Sequence, residues 1–273
     1  MCVRKDIILL ILIYLIGSIL SGCQETNYTT EEATENLPQI IVGSDDYPPF
    51  NYLDVNGNPT GIDVDLAKEA FKRLGYNAVF SKIDWANKDI LVDNRSIDCI
   101  WGCFSMKGRE NDYKWAGPYM ISRQVVAVNV NSDIKKLSDL EGKTIAVQAT
   151  SKPESIFLNR TGSKIPNVKE MYSIENREYI YTSLGKGYVD AIAGHETSIR
   201  QYMKEYRMKY RILDDSILTT GIGVAFSKKD YRGLDEKLSK VFKEMRDDGT
   251  AKRIIGKYLS DVDKYLEVES YEK

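Results

Sequence analysis

Tyr47-Pro48-Pro49-Phe50, followed by Gly61-Ile62-Asp63-Val64-Asp65-Leu66-Ala67, is the stretch from which the rest of the chain can be read. Between the two pieces lies Asn56-Gly57-Asn58-Pro59, a strong turn signal. After them Leu66, Ala67, Ala70, Phe71 and Leu74 recur at helical spacing, with Asp63 placed to cap the start and Gly75 the end. Upstream, Gln39 to Gly43 reads as a strand entering the turn at Asp45-Asp46-Tyr47-Pro48-Pro49. Downstream, Ala78 to Ile83 returns as a strand. A strand, a helix and a second strand in that order predict a parallel pair joined by a crossover.

The alternation continues. Ile97 to Phe104 is an apolar run predicted to be a buried strand, and Gln124 to Asn129 is extended and β-branched. Lys143 to Gln148 follows the turn Glu141-Gly142 as a strand. Asn176 to Lys186 reads as a helix, Tyr188 to Ala193 as a short buried strand and Glu196 to Glu205 as a helix. Gly221 to Phe226 is a further strand. Leu234, Leu238, Val241, Phe242 and Met245 then share one helical face; Asp247-Asp248-Gly249 breaks that helix, and Thr250 is placed to cap a last one bearing Ile254, Ile255 and Leu259. The extended segments 122–129 and 220–226 bracket a middle block that is itself α/β. That arrangement fits a second lobe inserted into the first and joined by two crossings: lobe 1 from 39–125 and 220–273, lobe 2 from 126–219. Periodicity alone marks no hinge.

Composition narrows the function. With 42% hydrophobic and 29% charged residues in 273, the balance is that of a globular chain, and a formal net charge of −2 offers no basic field for nucleic acid. The single histidine, His195, excludes a two-histidine metal site within one chain. No P-loop, G-x-G-x-x-G after a strand, H-E-x-x-H, C-x-x-C or G-x-S-x-G is present, which weighs against the common hydrolases, nucleotide enzymes and zinc proteins. No cofactor and no metal are expected.

The N-terminus reads as an address. Arg4 and Lys5 precede an apolar run from Ile7 to Ile16, short for a bilayer span. The run ends in Leu20-Ser21-Gly22-Cys23, which resembles the bacterial lipobox. Residues 1–22 are thus expected to be a lipoprotein signal peptide and Cys23 the lipidated first mature residue. Residues 23–38 would be a flexible tether, and the chain would be anchored to the membrane outside the cytoplasm. Cys99 and Cys103 remain. On one extended strand they would lie roughly 13 Å apart, too far for a bridge, so two small buried thiols are the simpler expectation.

Beyond these patterns, the chain from about Ile40 to Leu259 resembles the bacterial extracellular solute-binding proteins of family 3, the polar amino-acid receptors of ABC importers. The Tyr47-Pro48-Pro49-Phe50 turn and the Gly61-to-Ala67 signature carry most of the resemblance. Asp98 to Arg109, Trp115-Ala116-Gly117-Pro118-Tyr119, Leu140 to Gln148, Gly187-Tyr188-Val189-Asp190-Ala191-Ile192 and Asp248-Gly249-Thr250 add to it. The resemblance implies an α/β, two-lobed periplasmic-binding-protein type II fold with a ligand cleft between lobes. It also implies a binding protein rather than an enzyme, a monomer that passes a small carboxylate ligand, an amino acid or derivative, to an ABC permease. A sensory lipoprotein, or a cyclohexadienyl-dehydratase-like enzyme with Glu196 as its acid, would use the same fold.

The family pattern assigns the ligand carboxylate to Arg109, whose planar guanidinium can bind it through two parallel hydrogen bonds. Cys103 and Ser105 match the segment that offers backbone groups and a hydroxyl, although the turn on to Arg109 is one residue shorter than usual. Ser151, at a strand-to-helix turn, matches a residue holding the same carboxylate, where helix N–H groups favour anions. Tyr47 and Trp101 are candidates to wall the cleft with rings. His195 departs from the pattern: five residues after Asp190, the family usually carries an aspartate that binds the ligand's α-ammonium. A protonated histidine there would repel an ammonium, and Glu196 is the adjacent alternative anion. The ligand is therefore either an unusual amino acid or a carboxylate lacking the amine.

Overall fold

The computed structural model describes residues 37–160 and 165–271; the expected signal peptide, Cys23 and the tether as far as residue 36 lie outside the described residues. Ten strands are described: β1 (Gln39–Ser44), β2 (Tyr52–Leu53), β3 (Pro59–Thr60), β4 (Asn77–Lys82), β5 (Cys99–Ser105), β6 (Lys114–Asn129), β7 (Thr144–Gln148), β8 (Glu170–Ile174), β9 (Ala191–His195) and β10 (Tyr210–Phe226). The helices are α1 (Ile62–Arg73), α2 (Lys88–Asp93), α3 (Lys152–Asn159), α4 (Arg177–Gly185), α5 (Glu196–Glu205), α6 (Leu234–Asp247), α7 (Thr250–Ile255) and α8 (Asp263–Leu266).

Eight strands form one sheet in the order β4-β1-β5-β10-β6-β9-β7-β8, while β2 and β3 form a small hairpin. β1 is parallel to β4 and β5, and β7 is parallel to β8 and β9. Each of these parallel sets is made by helical crossovers, as parallel pairing requires. Between the two sets run β6 and β10, antiparallel to each other from Lys114↔Phe226 to Asn129↔Tyr210. The sequence reading caught only one part of each of these long strands.

Their burial shows why they act as crossings. Side chains of a strand alternate between faces, and each half of the sheet accordingly has two cores. Ile40, Val42, Trp101 and Met120 belong to one, beneath α1 and α6; Ile97, Ile100, Phe104 and Ala225 belong to the opposite face. In the other half Val126, Val128, Ile145 and Val147 face one way, and Val125, Ala127, Ala146 and Ile192 the other. Among the described residues no apolar cluster spans both halves. On β6 the change of core falls at Ser122, Arg123 and Gln124, paired with Thr220, Thr219 and Leu218 on β10. Ser122, Gln124 and Thr220 are buried but polar, so apolar packing is interrupted where the chain crosses.

The opening motif is explained by one contact. Gly61 has φ 125°, and a Cβ there would lie 2.3 Å from the Phe50 carbonyl oxygen. This close approach lets Ile62 N–H donate to Pro49 O and Asp63 N–H to Phe50 O, each at 2.9 Å, pinning the proline turn to the start of α1. Gly61, not Asp63, is therefore the N-cap. Asp63 is turned inward, accepting from Cys103 N–H at 2.7 Å and from Tyr119 O–H at 2.8 Å. Likewise Gly249, not Thr250, caps α7. The helical face of Leu234, Leu238, Val241, Phe242 and Met245 is buried as the spacing predicts. Cys99 and Cys103 are free, buried thiols on β5.

Candidate functional site

The carboxyl ends of β5 and β9, the end of β7, the start of α3 and the first turns of α4 converge on a narrow cavity, partly open to solvent. Crevices beyond the carboxyl ends of strands are the usual ligand sites of α/β sheets. Tyr47, Cys103, Ser105, Arg109, Ser151 and His195 all line it. Cys103 in the wall (φ 50°) and Thr150 (φ 55°), next to the lining residue Ser151, hold left-handed backbone without being glycine. Such conformations cost energy and persist where the surroundings hold them. Asp63 grips the Cys103 N–H, and Glu154 Oε2 accepts from Thr150 N–H at 2.7 Å.

Trp101 is a correction. It is fully buried in the core beneath α1 and α6, its ring centroid 5.9 Å from Phe71, 5.5 Å from Tyr119 and 5.4 Å from Phe242. Strand alternation sends it, with Cys99 and Cys103, to that face of β5. The cavity's tryptophan is Trp85, from the loop after β4, packed edge-on against Phe104.

Arg109 reaches across the cavity. Its guanidinium donates to Ser105 O and to Thr150 O, each at 3.3 Å, and lies 4.8 Å from the Phe104 ring centroid. It makes no ion pair among the described residues, and burial pushes its pKa down. Two further cations crowd it. Lys88 is buried, donates to Thr150 Oγ1 at 3.1 Å and lies over the Trp85 ring; burial lowers its pKa. Lys152 lines the cavity, and burial followed by repulsion from Arg109 lowers its pKa as well. Ser151 caps α3, its Oγ accepting from Glu154 N–H at 3.4 Å.

A second arginine, Arg177, escaped the sequence reading. Its guanidinium lies 3.2 Å from the Tyr47 ring centroid and donates to the Asp45 carboxylate, which also accepts from Gln148 Nε2 at 2.7 Å. Burial opposes its charge, but Asp45 and Tyr47 outweigh that and raise its pKa. The available signal was its place in the first turn of α4, where a cation opposes the helix dipole and needs another reason to be there.

His195 is buried, with Nδ1 2.6 Å from Ser122 Oγ and Nε2 2.8 Å from Gln124 Nε2. Gln124 Nε2 also donates to Ser105 Oγ at 3.3 Å, while its Oε1 is buried with no hydrogen-bond partner among the described residues. Burial, then the charges of Arg177 and Arg109, lower the imidazole pKa to about 3. Glu196 does not line the cavity: it is held by Arg123 at 2.8 Å and Arg200 at 2.6 Å.

Residues 40–261 match the family model described as bacterial extracellular solute-binding proteins, family 3. The chain belongs to this family. Among its relatives, the histidine-binding periplasmic protein of Salmonella typhimurium is 30% identical, over 84% of this chain and 90% of the relative. The L-cystine-binding protein TcyA of Bacillus subtilis is 28% identical over 81% of each chain. An ancestral arginine-binding protein bound to glutamine superposes with a TM-score of 0.73 at 27% identity, covering 82% of this chain and 98% of that one. An ancestral amino-acid-binding protein that is a precursor of cyclohexadienyl dehydratase gives 0.72 at 26% identity, covering 84% and 98%. This family-3 chain thus has the two-lobed periplasmic-binding-protein type II fold and a solute-binding role. Among the described residues no helix is long and apolar enough to cross a membrane.

Proposed function

We propose that this family-3 protein is an extracytoplasmic lipoprotein, anchored through Cys23, that captures a small carboxylate between its lobes and delivers it to an ABC importer. Lobe 1 (39–125 and 220–273) contributes Tyr47, Cys103, Ser105 and Arg109, and lobe 2 (126–219) contributes Ser151 and His195. The observation that carries the reading is Arg109: a half-buried guanidinium whose two hydrogen bonds go to carbonyls on both sides of the cleft and which has no carboxylate partner among the described residues. Such a group is poised for a ligand carboxylate, where two charge-assisted bonds would replace two long ones.

Closure follows from the same contacts. Arg109 to Thr150 O, Lys88 to Thr150 Oγ1, the Asp45 carboxylate to Gln148 and Arg177, and Ser198 Oγ to Pro48 O all join opposite sides of the cleft. A ligand touching both sides favours the closed arrangement over the open one, and a permease can read the difference. The binding role over an enzymatic one is supported by Glu196, the only acid nominated for chemistry, being held by two arginines outside the cavity.

A thermal-shift screen of amino acids, dipeptides and organic acids tests the reading. A bound carboxylate raises the apparent Tm in a concentration-dependent way; no response to any carboxylate would overturn it. Metabolic labelling with a radiolabelled fatty acid should mark the wild-type chain and not Cys23→Ser; equal labelling would refute the anchor.

A further inference from the structure

The cavity around Arg109 is lined by Arg109, Lys152 and Arg177 and by no aspartate or glutamate. Lys88 stands just behind, bonded to Thr150. The carboxylates nearby stand outside its lining. Asp45 holds Arg177 and Gln148 through Oδ2, and its Oδ1 is buried without a partner among the described residues, but it lines a neighbouring outer groove. Asp89 accepts from Tyr113 and pairs with Lys88, and Glu196 is bracketed by Arg123 and Arg200. A zwitterionic amino acid placed with its carboxylate on Arg109 would bring an ammonium into a wall without an anion, among fixed positive charges. Burying an unpaired ammonium is costly, and the surrounding cations add repulsion.

His195 does not relieve this. Both ring nitrogens are engaged by neighbours of the chain itself, Nδ1 by Ser122 and Nε2 by Gln124. Whichever nitrogen carries the ring hydrogen, both are committed within the chain, so no lone pair is left for the ligand. What the wall offers instead is Gln124, a residue 1% exposed that lines the cavity and whose Oε1 is buried without a partner among the described residues. A neutral amide oxygen can accept one hydrogen from a hydroxyl, which brings no charge to be neutralised.

Resting on the solute-binding reading above, we propose that the cleft selects small organic acids of net negative charge that carry a hydroxyl where an amino acid carries its α-ammonium. Arg109 and Lys152 meet the carboxylate, and the Gln124 side chain, oriented by His195, meets the hydroxyl. Specificity comes as much from the missing anion, which rejects the ammonium, as from the acceptor that is present.

Matched pairs separate this inference from the reading it rests on. Calorimetry with L-glutamate and L-2-hydroxyglutarate, L-phenylalanine and L-phenyllactate, and L-leucine and L-2-hydroxy-4-methylpentanoate varies only the α-substituent. At least one hydroxy acid should bind, at least tenfold tighter than its amino partner. An amino acid that binds as tightly as its hydroxy analogue overturns the inference and leaves the solute-binding reading intact; no binding by any member overturns the inference, and the solute-binding reading falls with it only where the wider carboxylate screen is silent too. In the second arm His195→Asp should raise affinity for the amino acid of the best pair at least tenfold, whereas His195→Asn, of similar size and neutral, should keep the hydroxy-acid preference. Equal behaviour of the two variants would count against the assignment.

Discussion

Two charged side chains, the buried Asp63 and the half-buried Arg109, both contact the end of β5, and they are treated in opposite ways. The Asp63 carboxylate is closed on the protein: a backbone N–H and a tyrosine O–H donate to it, and it fastens α1 to the left-handed turn at Cys103. Arg109 is left open, with two 3.3 Å bonds to carbonyls and no ion pair among the described residues. A buried charge is tolerated when its own chain satisfies it and is functional when something else must. The difference separates a scaffold carboxylate closed by its own chain from a site guanidinium still half open to water.

The largest test of that contrast lies on the scaffold side. Trp101→Ala, next to the Asp63 network, should cost about 3–5 kcal/mol of stability, the range for a buried large-to-small change. This would be seen as a Tm drop of about 10 °C. Ligand affinity measured well below the transition should change less than threefold; a selective loss of binding would return Trp101 to the cleft. Next comes the seam. Arg177→Met removes a charge-assisted bond to Asp45 that exists only when the lobes touch, so its loss of about 1.5–3 kcal/mol should appear as opening rather than unfolding. Solution scattering should show a larger radius of gyration for the ligand-free variant; an unchanged radius with a lower Tm would make Arg177 purely structural.

The smallest net effect in the wild type is in pH, because two titrations offset one another. Burial raises the Asp63 pKa to about 7, so its contribution to stability is present below the unfolded value near 4 and is lost as pH rises towards 7. Burial lowers that of His195 to about 3, so its contribution is present above 6.5 and is lost as pH falls. Between pH 4 and 6.5 the two slopes oppose one another, each on the order of 1.4 kcal/mol per pH unit. Asp63→Asn should make Tm rise more steeply with pH in that window, and His195→Asn should make it fall. Parallel profiles for the two variants would contradict the opposed titrations.

How much of this could be read beforehand follows the range of each interaction. The proline turn, the helix beginning at Ile62 and the face of α6 are local patterns, and they were legible as periodicity and turn chemistry. The length of β6 and β10 was not, because a strand that passes from one core into another loses its apolar run at Ser122, Arg123 and Gln124. Trp101 and Trp85 could not be sorted from sequence: which tryptophan faces the cleft depends on strand register and on the loop after β4. Arg109, Ser105 and His195 were found through family resemblance, whereas Arg177 needed the coordinates, since its partner Asp45 lies far away in sequence. The engagement of both His195 nitrogens and the capture of Glu196 are likewise side-chain outcomes that spacing does not encode.

The central claim is that Arg109 grips the anionic end of the ligand. Calorimetric titration of the best hydroxy-acid or other carboxylate hit into wild type and Arg109→Ala tests it directly. Truncating one partner of a buried charge pair typically costs about 2–5 kcal/mol, so the account predicts an affinity at least about thirtyfold weaker, with the Tm of the ligand-free protein nearly unchanged. Equal Kd values for the two proteins would contradict it.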